Sequence, residues 1–434
     1  MSPDIIGLIG LVLMLILFAI GMPISFAMAF AGVAGYAYLV SPEVGFSLLP
    51  RDVFEQFASY PLSVIPMFVL MGCYAFAAGI GKKLFETAHA IFGHMPGGLA
   101  VATIAASTVF GAVCGSTSAT CATIGRIAIP EMKRFGYSDW LSTGTVTVAG
   151  GLGVMIPPST IFIVYGILTE QSIGKLFVAG IIPGTILAAL FMLTIYIICK
   201  RDPDSGPVGP ATSWKQKFVS LKGLIESVIL FSVTIGGLFA GWFTPTQAGA
   251  IGSAVVIVLG LLRRQLTWSN FIGATRDGLR LSCMIMLLIA GATIFGHFIT
   301  RTAIPMKLAN WVIAMNVSPT VVMLLIIAFW FVLGCFIDAM PIIVLLMPIL
   351  LPILNSLGSD LIWFAVIVVV LSMIAVVTPP VGVNAYVVKG ITDDVPLTTI
   401  FKGVFPFFIP FAIGLTLLIA FPWLSTVLTT FVTY

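Results

Sequence analysis

Four short segments carry residues whose types and spacing could hold small charged species inside an apolar setting. The first, GAVCGSTSATCATIG at 111–125, has Gly111 and Gly115 to turn the chain and a run of hydroxyls, Ser116, Thr117, Ser118 and Thr120. Hydroxyls and freed carbonyls are hard oxygen donors suited to a small cation. Helix N-termini in such a loop offer N–H groups to an anion. The structural alternative is close packing of helices through small residues. The second and fourth, GGLGVMIPPST at 150–160 and VVTPPVGVNAY at 376–386, each hold a Pro-Pro pair. Tandem prolines remove N–H groups and interrupt a helix, which frees carbonyls. Ser159 and Thr160 in one, Thr378 and Asn384 in the other, add side-chain oxygens; a plain structural kink is the alternative. The third, GCFIDAMPII at 334–343, places Asp338 at the centre of a long apolar stretch. Burying a charge at a helix centre costs roughly 2.5–3.5 kcal/mol even on lenient scales, so an ionised aspartate there needs a partner. A sodium ligand, a proton carrier and a helix cap are the three roles open to it.

Arg126 follows the first segment within an otherwise apolar run. Its guanidinium could hold a substrate carboxylate in a bidentate contact, or snorkel to an interface. Arg301 reads as interfacial, and His89, His94 and His297 have no metal-ligand spacing. No Ser or Cys has a His or Lys placed beside it by motif, which argues against a membrane enzyme with an activated nucleophile. The six cysteines form no CxxC pair, so neither a zinc site nor a disulfide framework is expected.

The elements that must position these residues are membrane helices. Charged residues make up 8% of the chain and hydrophobic ones 59%, against about 25% charged in a soluble domain. Apolar blocks at 4–21, 24–40, 62–80, 174–199, 224–242, 246–262, 281–300, 361–388 and 403–424 are each near the ~20 residues that cross a bilayer core. The ten-residue alternation of a transmembrane barrel is missing. The first block lacks a basic leader and a cleavage site, so it reads as a span. A net charge of +4 gives no argument for nucleic acid.

The four segments fall two to each half of the chain. Pro23 answers Pro245, Gly111 answers Gly334, Pro130 answers Pro352, and Pro157–Pro158 answers Pro379–Pro380, at an offset near 222. Each half has two spans, an amphipathic stretch (48–61 or 266–282), a third span, a Gly-rich segment and two more spans. If the Gly-rich segment enters and leaves on one side, each half crosses five times and the second half is inverted. Inverted repeats with broken helices mark secondary transporters. With the 200–223 loop in the cytoplasm, 16 Lys and Arg lie inside and 4 outside, as the positive-inside rule requires. Ten crossings and two re-entrant hairpins then leave both termini outside; one bent span over 4–40 would move the N-terminus inside. The expected fold is an all-α polytopic membrane protein of two inverted repeats, each with a re-entrant hairpin and a broken helix. The first repeat covers 1–200 with hairpin about 97–128 and broken helix about 139–169. A cytoplasmic linker follows at 201–222. The second repeat covers 223–434 with hairpin about 318–353 and broken helix about 361–391.

In this order and spacing the four segments resemble the large, DctM-like membrane subunit of tripartite ATP-independent periplasmic (TRAP) transporters. IPMFVLMG (65–72), AIPEMKRFGY (128–137), MPILLPIL (347–354) and TPPVGVNAYVVKGI (378–391) carry the resemblance further, across essentially the whole chain. It implies a small four-helix membrane subunit (DctQ-like), a periplasmic substrate-binding protein (DctP-like) and location in a bacterial or archaeal inner membrane. It also implies elevator-type transport, in which a core slides against a scaffold linked by the stretches 48–61 and 266–282. Sodium, the coupling ion, is expected where each hairpin tip meets its broken helix; no further cofactor is implied. By position that means Ser116, Thr117 and Ser118 with Gly151 and Pro157 at one site, and Asp338 with Thr378, Gly382 and Asn384 at the other. Arg126, Ser159 and Thr160 remain candidates for the substrate. The family motif has a small residue where Arg126 stands, so its role is not carried over. A stand-alone sodium- or proton-coupled divalent-anion carrier shares the two-hairpin logic and is the rival. A channel is disfavoured, since no symmetric pore-lining ring is present. A C4-dicarboxylate, a sialic acid or another organic acid would each fit as substrate.

Overall fold

A computed structural model describes residues 2–209, 212–314, 317–392 and 394–432. Residues 210 and 211, inside the expected 201–222 linker, fall outside the described residues. Every regular element among the described residues is helical. Among the described residues, six helices are long and apolar enough to cross a membrane, or seven if one bent pair counts as a single span. Shorter apolar helices add to these, and many apolar side chains face outward, such as Leu8, Val12 and Ile16 on the first helix, Pro3–Ala19. A helix apolar on all sides is at home in lipid. The chain is a polytopic membrane protein.

The segments that break the helical pattern fall where Gly and Pro demand it. The first hairpin joins Gly98–Cys114 to Thr117–Arg134. Gly115 turns the chain with a left-handed φ of 64°, which a side chain would strain. Ser116 then caps the second helix by accepting from the Ala119 N–H at 3.4 Å. The first broken helix runs Asp139–Gly151, a 3-10 turn at Leu152–Val154, the cis Pro157–Pro158 bond, and a restart at Thr160–Thr169 capped by Ser159. The second hairpin joins Pro319–Gly334 to Ala339–Ser356, and its broken helix joins Leu361–Ala375 to Val383–Lys389 across the cis Pro379–Pro380 bond. Gly382, with φ at 50°, starts the last of these.

Both broken helices lie at the centre of the molecule: all of residues 363–375 are buried, as are 141–151. Tyr165 Oη donates to the Leu361 carbonyl at 2.8 Å, which joins them end to end. Around this core stand helices from both halves. Ser253 Oγ donates to the Met67 carbonyl at 2.9 Å, and Tyr74 Oη lies 3.0 Å from Thr275 Oγ1.

The two amphipathic stretches differ. The first is a helix, Pro42–Ala58, that turns by 62° into the next segment beginning at Pro61. The second is not a separate arm over 266–282. It is the start of one 34-residue helix, Trp268–Arg301, about 50 Å long at 1.5 Å per residue. No proline occurs between 268 and 301, whereas the first stretch carries Pro50 within its helix and ends before Pro61, which opens the next helical turn.

Candidate functional site

The hairpin tips meet the helix breaks at close approach of the two backbones, with one side-chain bond between them. Thr160 Oγ1 donates to the Gly115 carbonyl at 3.0 Å. A Cβ on Gly111 would lie 2.5 Å from the Gly153 Cα, so only glycine permits this approach. On the other side, the Val381 N–H donates to the Cys335 carbonyl at 3.3 Å. Each tip thus rests on the proline-broken stretch of its own half.

Beside the first tip lies a buried cluster of oxygen atoms. Thr120 Oγ1 and Asn384 Oδ1 are buried and accept no hydrogen bond. A Cβ on Gly150 would sit 3.0 Å from the Thr117 carbonyl and 2.9 Å from Asn384 Nδ2, which puts hairpin, first break and Asn384 around one point. A Cβ on Gly153 would fall 2.5 Å from Thr120 Oγ1 and 2.7 Å from the Ser116 carbonyl. Buried oxygens without a donor are costly unless something positive reaches them, and hydroxyl, amide and carbonyl oxygens suit a small hard cation.

Between the core and the surrounding helices opens a cavity of about 850 Å³. One wall belongs to the core: Ser116, Thr117, Ser118 and Arg126 from the first hairpin, Thr160 from the first broken helix, and Asp338 from the second hairpin. The opposite wall is Gly72, Cys73 and Phe76 on Val64–Ala77 together with Asp277, Leu281, Met284, Ile285 and Leu288 on the long helix. Its hairpin lining runs from Thr117 to Arg126, about 14 Å along the helix, toward the end that carries Lys133 and Arg134.

Six of the expected residues line this cavity: Ser116, Thr117, Ser118, Arg126, Thr160 and Asp338. Gly151, Pro157, Ser159, Thr378, Gly382 and Asn384 do not. Ser159 is spent as a cap on the Phe162 N–H, and Thr378 Oγ1 donates back to the Ile374 carbonyl at 2.6 Å. Asn384 Nδ2 donates to the Thr147 carbonyl at 3.1 Å, so this side chain of the second half is held by the first broken helix. Asp338 occupies the N-cap position of Ala339–Ser356, yet its side chain makes no capping hydrogen bond. It is exposed to the cavity, as are Arg126 and Asp277. None of the three forms an ion pair among the described residues.

Sequence reasoning missed Asp277. Its signal was present: Asp277, Leu281, Met284 and Leu288 recur at helical spacing, but the stripe is visible only when 268–301 is read as one helix.

The family model described as "Tripartite ATP-independent periplasmic transporter, DctM component" matches residues 11–424. The chain belongs to this family. It is 34% identical over 391 residues to the C4-dicarboxylate TRAP transporter large permease protein DctM of Pseudomonas aeruginosa, covering 90% of this chain and 91% of that one. It is 32% identical over 429 residues to the sialic acid TRAP transporter large permease protein SiaM of Vibrio cholerae, covering 99% and 98%. These relatives are named as transport permeases, and the chain is a TRAP transporter large permease rather than an enzyme. In fold it is similar to the YdaH transporter of Alcanivorax borkumensis, at a TM-score of 0.61 with 15% identity, over 88% of this chain and 90% of that one.

Proposed function

We propose that this TRAP large permease performs sodium-coupled uptake of an organic acid across the cytoplasmic membrane of a bacterium or archaeon. The observation that carries this reading is the charge of the cavity. Its lining holds one basic side chain, Arg126, against two carboxylates, Asp277 and Asp338. A negatively charged acid entering a cavity with this balance needs cations to accompany it, because unpaired charge is costly at membrane depth. Sodium at Asp338, and at the oxygen cluster of Thr117, Thr120 and Asn384, would supply that charge. Loaded and empty cores would then be the electrically closed states able to move, which couples the ion gradient to the acid.

Two helix pairs, each ending on a proline break, support the two-repeat organisation, with the second repeat inverted and ten crossings in all. The cavity lies between the hairpins and a wall of separate helices, as an elevator requires: the hairpins and broken helices slide, and the surrounding helices stay. The acid arrives from a periplasmic binding protein, and a small four-helix membrane subunit completes the scaffold.

The test is uptake of radiolabelled acids into proteoliposomes holding this chain and its small membrane partner, with and without a sodium gradient and the binding protein. Uptake that needs both is expected. Uptake driven by sodium alone would identify a stand-alone carrier instead, and uptake indifferent to sodium would overturn the coupling.

A further inference from the structure

Asp277 forms no ion pair among the described residues and has no place in the hairpins or the helix breaks. It stands on the long helix Trp268–Arg301, on the wall opposite the hairpins. Its height in the cavity follows from three contacts. Thr275 is hydrogen-bonded to Tyr74 at 3.0 Å, and a Cβ on Gly278 would lie 2.7 Å from Leu70 Cδ2. Gly72, between those two levels, abuts the hairpin tip: a Cβ there would lie 2.6 Å from the Cys114 carbonyl. Asp277 therefore stands near the level of the first hairpin tip, across the space an acid would occupy. The neighbouring Arg276 and Arg280 do not line the cavity.

We propose that Asp277 sets the charge class of the transported acid, favouring a singly charged acid that carries hydroxyl or ammonium donors over a dicarboxylate. This rests on the organic-acid reading above and narrows it. Arg126 can hold one carboxylate through two parallel N–H bonds, and sodium answers Asp338. A second carboxylate would find no further basic group on either wall and would share a largely apolar cavity with Asp277. Like charges in such a setting repel strongly, and building in a repulsive group is a general route to specificity. A hydroxyl or ammonium on the same acid instead meets a ready acceptor in the Asp277 carboxylate, where charge assistance strengthens the bond. The remaining wall, with Phe76, Leu281, Met284 and Met340, suits an uncharged body.

The experiment measures binding of small three- and four-carbon acids to the purified complex of this chain with its small membrane subunit, without the binding protein. Lactate and glycerate serve as singly charged hydroxy acids, propionate as the acid without a donor, and succinate and malate as dianions. Thermal stabilisation is titrated in sodium and in potassium. The unsubstituted protein is expected to bind glycerate at least about tenfold more tightly than succinate. D277N should shrink that ratio by about tenfold while D277E retains it. Sodium-dependent binding with an equal preference for dianions, or a ratio unchanged in D277N, overturns the assignment while leaving the transporter reading intact. A D277N protein that loses its sodium dependence but keeps its preference between acids also overturns it, and makes Asp277 an ion ligand. Binding of no acid in either salt would sink the cavity as the substrate site, and this proposal with it.

Discussion

The Asn384 amide donates to the Thr147 carbonyl at 3.1 Å and so ties the second broken helix to the first across 237 positions of sequence. Its other end, Oδ1, is buried with no donor. One side chain therefore both joins the halves and offers an oxygen beside the first hairpin tip. Asn384→Ala should remove this link between the two broken helices, a loss of about 0.5–1.5 kcal/mol for the hydrogen bond alone. The expected outcome is a lower melting temperature of the purified protein, only weakly restored by sodium. A variant with full stability and unchanged sodium response would mean that neither end of the amide matters.

Asp338 exposes its carboxylate to the cavity at the N-cap of its helix without making a capping bond. Loss of a cap would then contribute little, and a substitution should act on transport. Asp338→Asn is expected to fold normally and to lose sodium-stimulated uptake by at least about tenfold, the scale of one missing charge interaction in a partly buried site. Uptake in sodium against choline is the measurement. Retained sodium stimulation would assign the ion elsewhere.

The breaks were legible because their causes are local. Pro157–Pro158 and Pro379–Pro380 interrupt a helix by their chemistry, and Gly115 and Gly382 adopt a left-handed φ where helices end or begin. What meets what across the core was not legible. Asn384 was grouped with Asp338 by nearness in the family pattern, and its hydrogen bond to Thr147 depends on how two distant helices cross. Asp277 was hidden for another reason: Arg276, Asp277 and Arg280 make the stretch look like an interfacial arm, and only the unbroken helix carries that polar start into the cavity wall.

Gly72 lies where the surrounding helices touch the first hairpin, and a Cβ there would come 2.6 Å from the Cys114 carbonyl. Both partners are backbone, so the hairpin itself would have to shift, at an overpacking cost of about 1–3 kcal/mol. Gly72→Ala should therefore bias the core away from this arrangement. If the hairpin slides along this surface during transport, uptake falls severalfold while the melting temperature changes little. A large loss of stability with it would instead mark the contact as a fixed part of the fold.

Glu226 is the buried centre of an ion cluster whose members do not line the cavity. Its carboxylate pairs with Lys83 at 2.9 Å and with Arg263, while only 4% of its side chain is exposed. The three residues come from separate helices, Ile225–Phe231, Ile80–Phe92 and the end of Pro245–Leu262, so the cluster clamps the start of the second half onto the first. Burial and the nearby Arg263 both push the Lys83 ammonium below its ordinary pKa, in that order. Glu226→Gln leaves two cations side by side. Breaking a fully buried pair costs about 3–5 kcal/mol, but Lys83 and Arg263 keep 20% and 41% of their side chains in contact with solvent, which moderates the loss. A destabilisation of about 1–3 kcal/mol is expected, read as a lower melting temperature and reduced membrane yield, with the apparent KM for acid and sodium unchanged in the protein that folds. Adding Lys83→Met should recover part of the loss, because it removes one of the two uncompensated cations. A double variant no more stable than Glu226→Gln alone would show that the cluster holds the helices through Arg263 only.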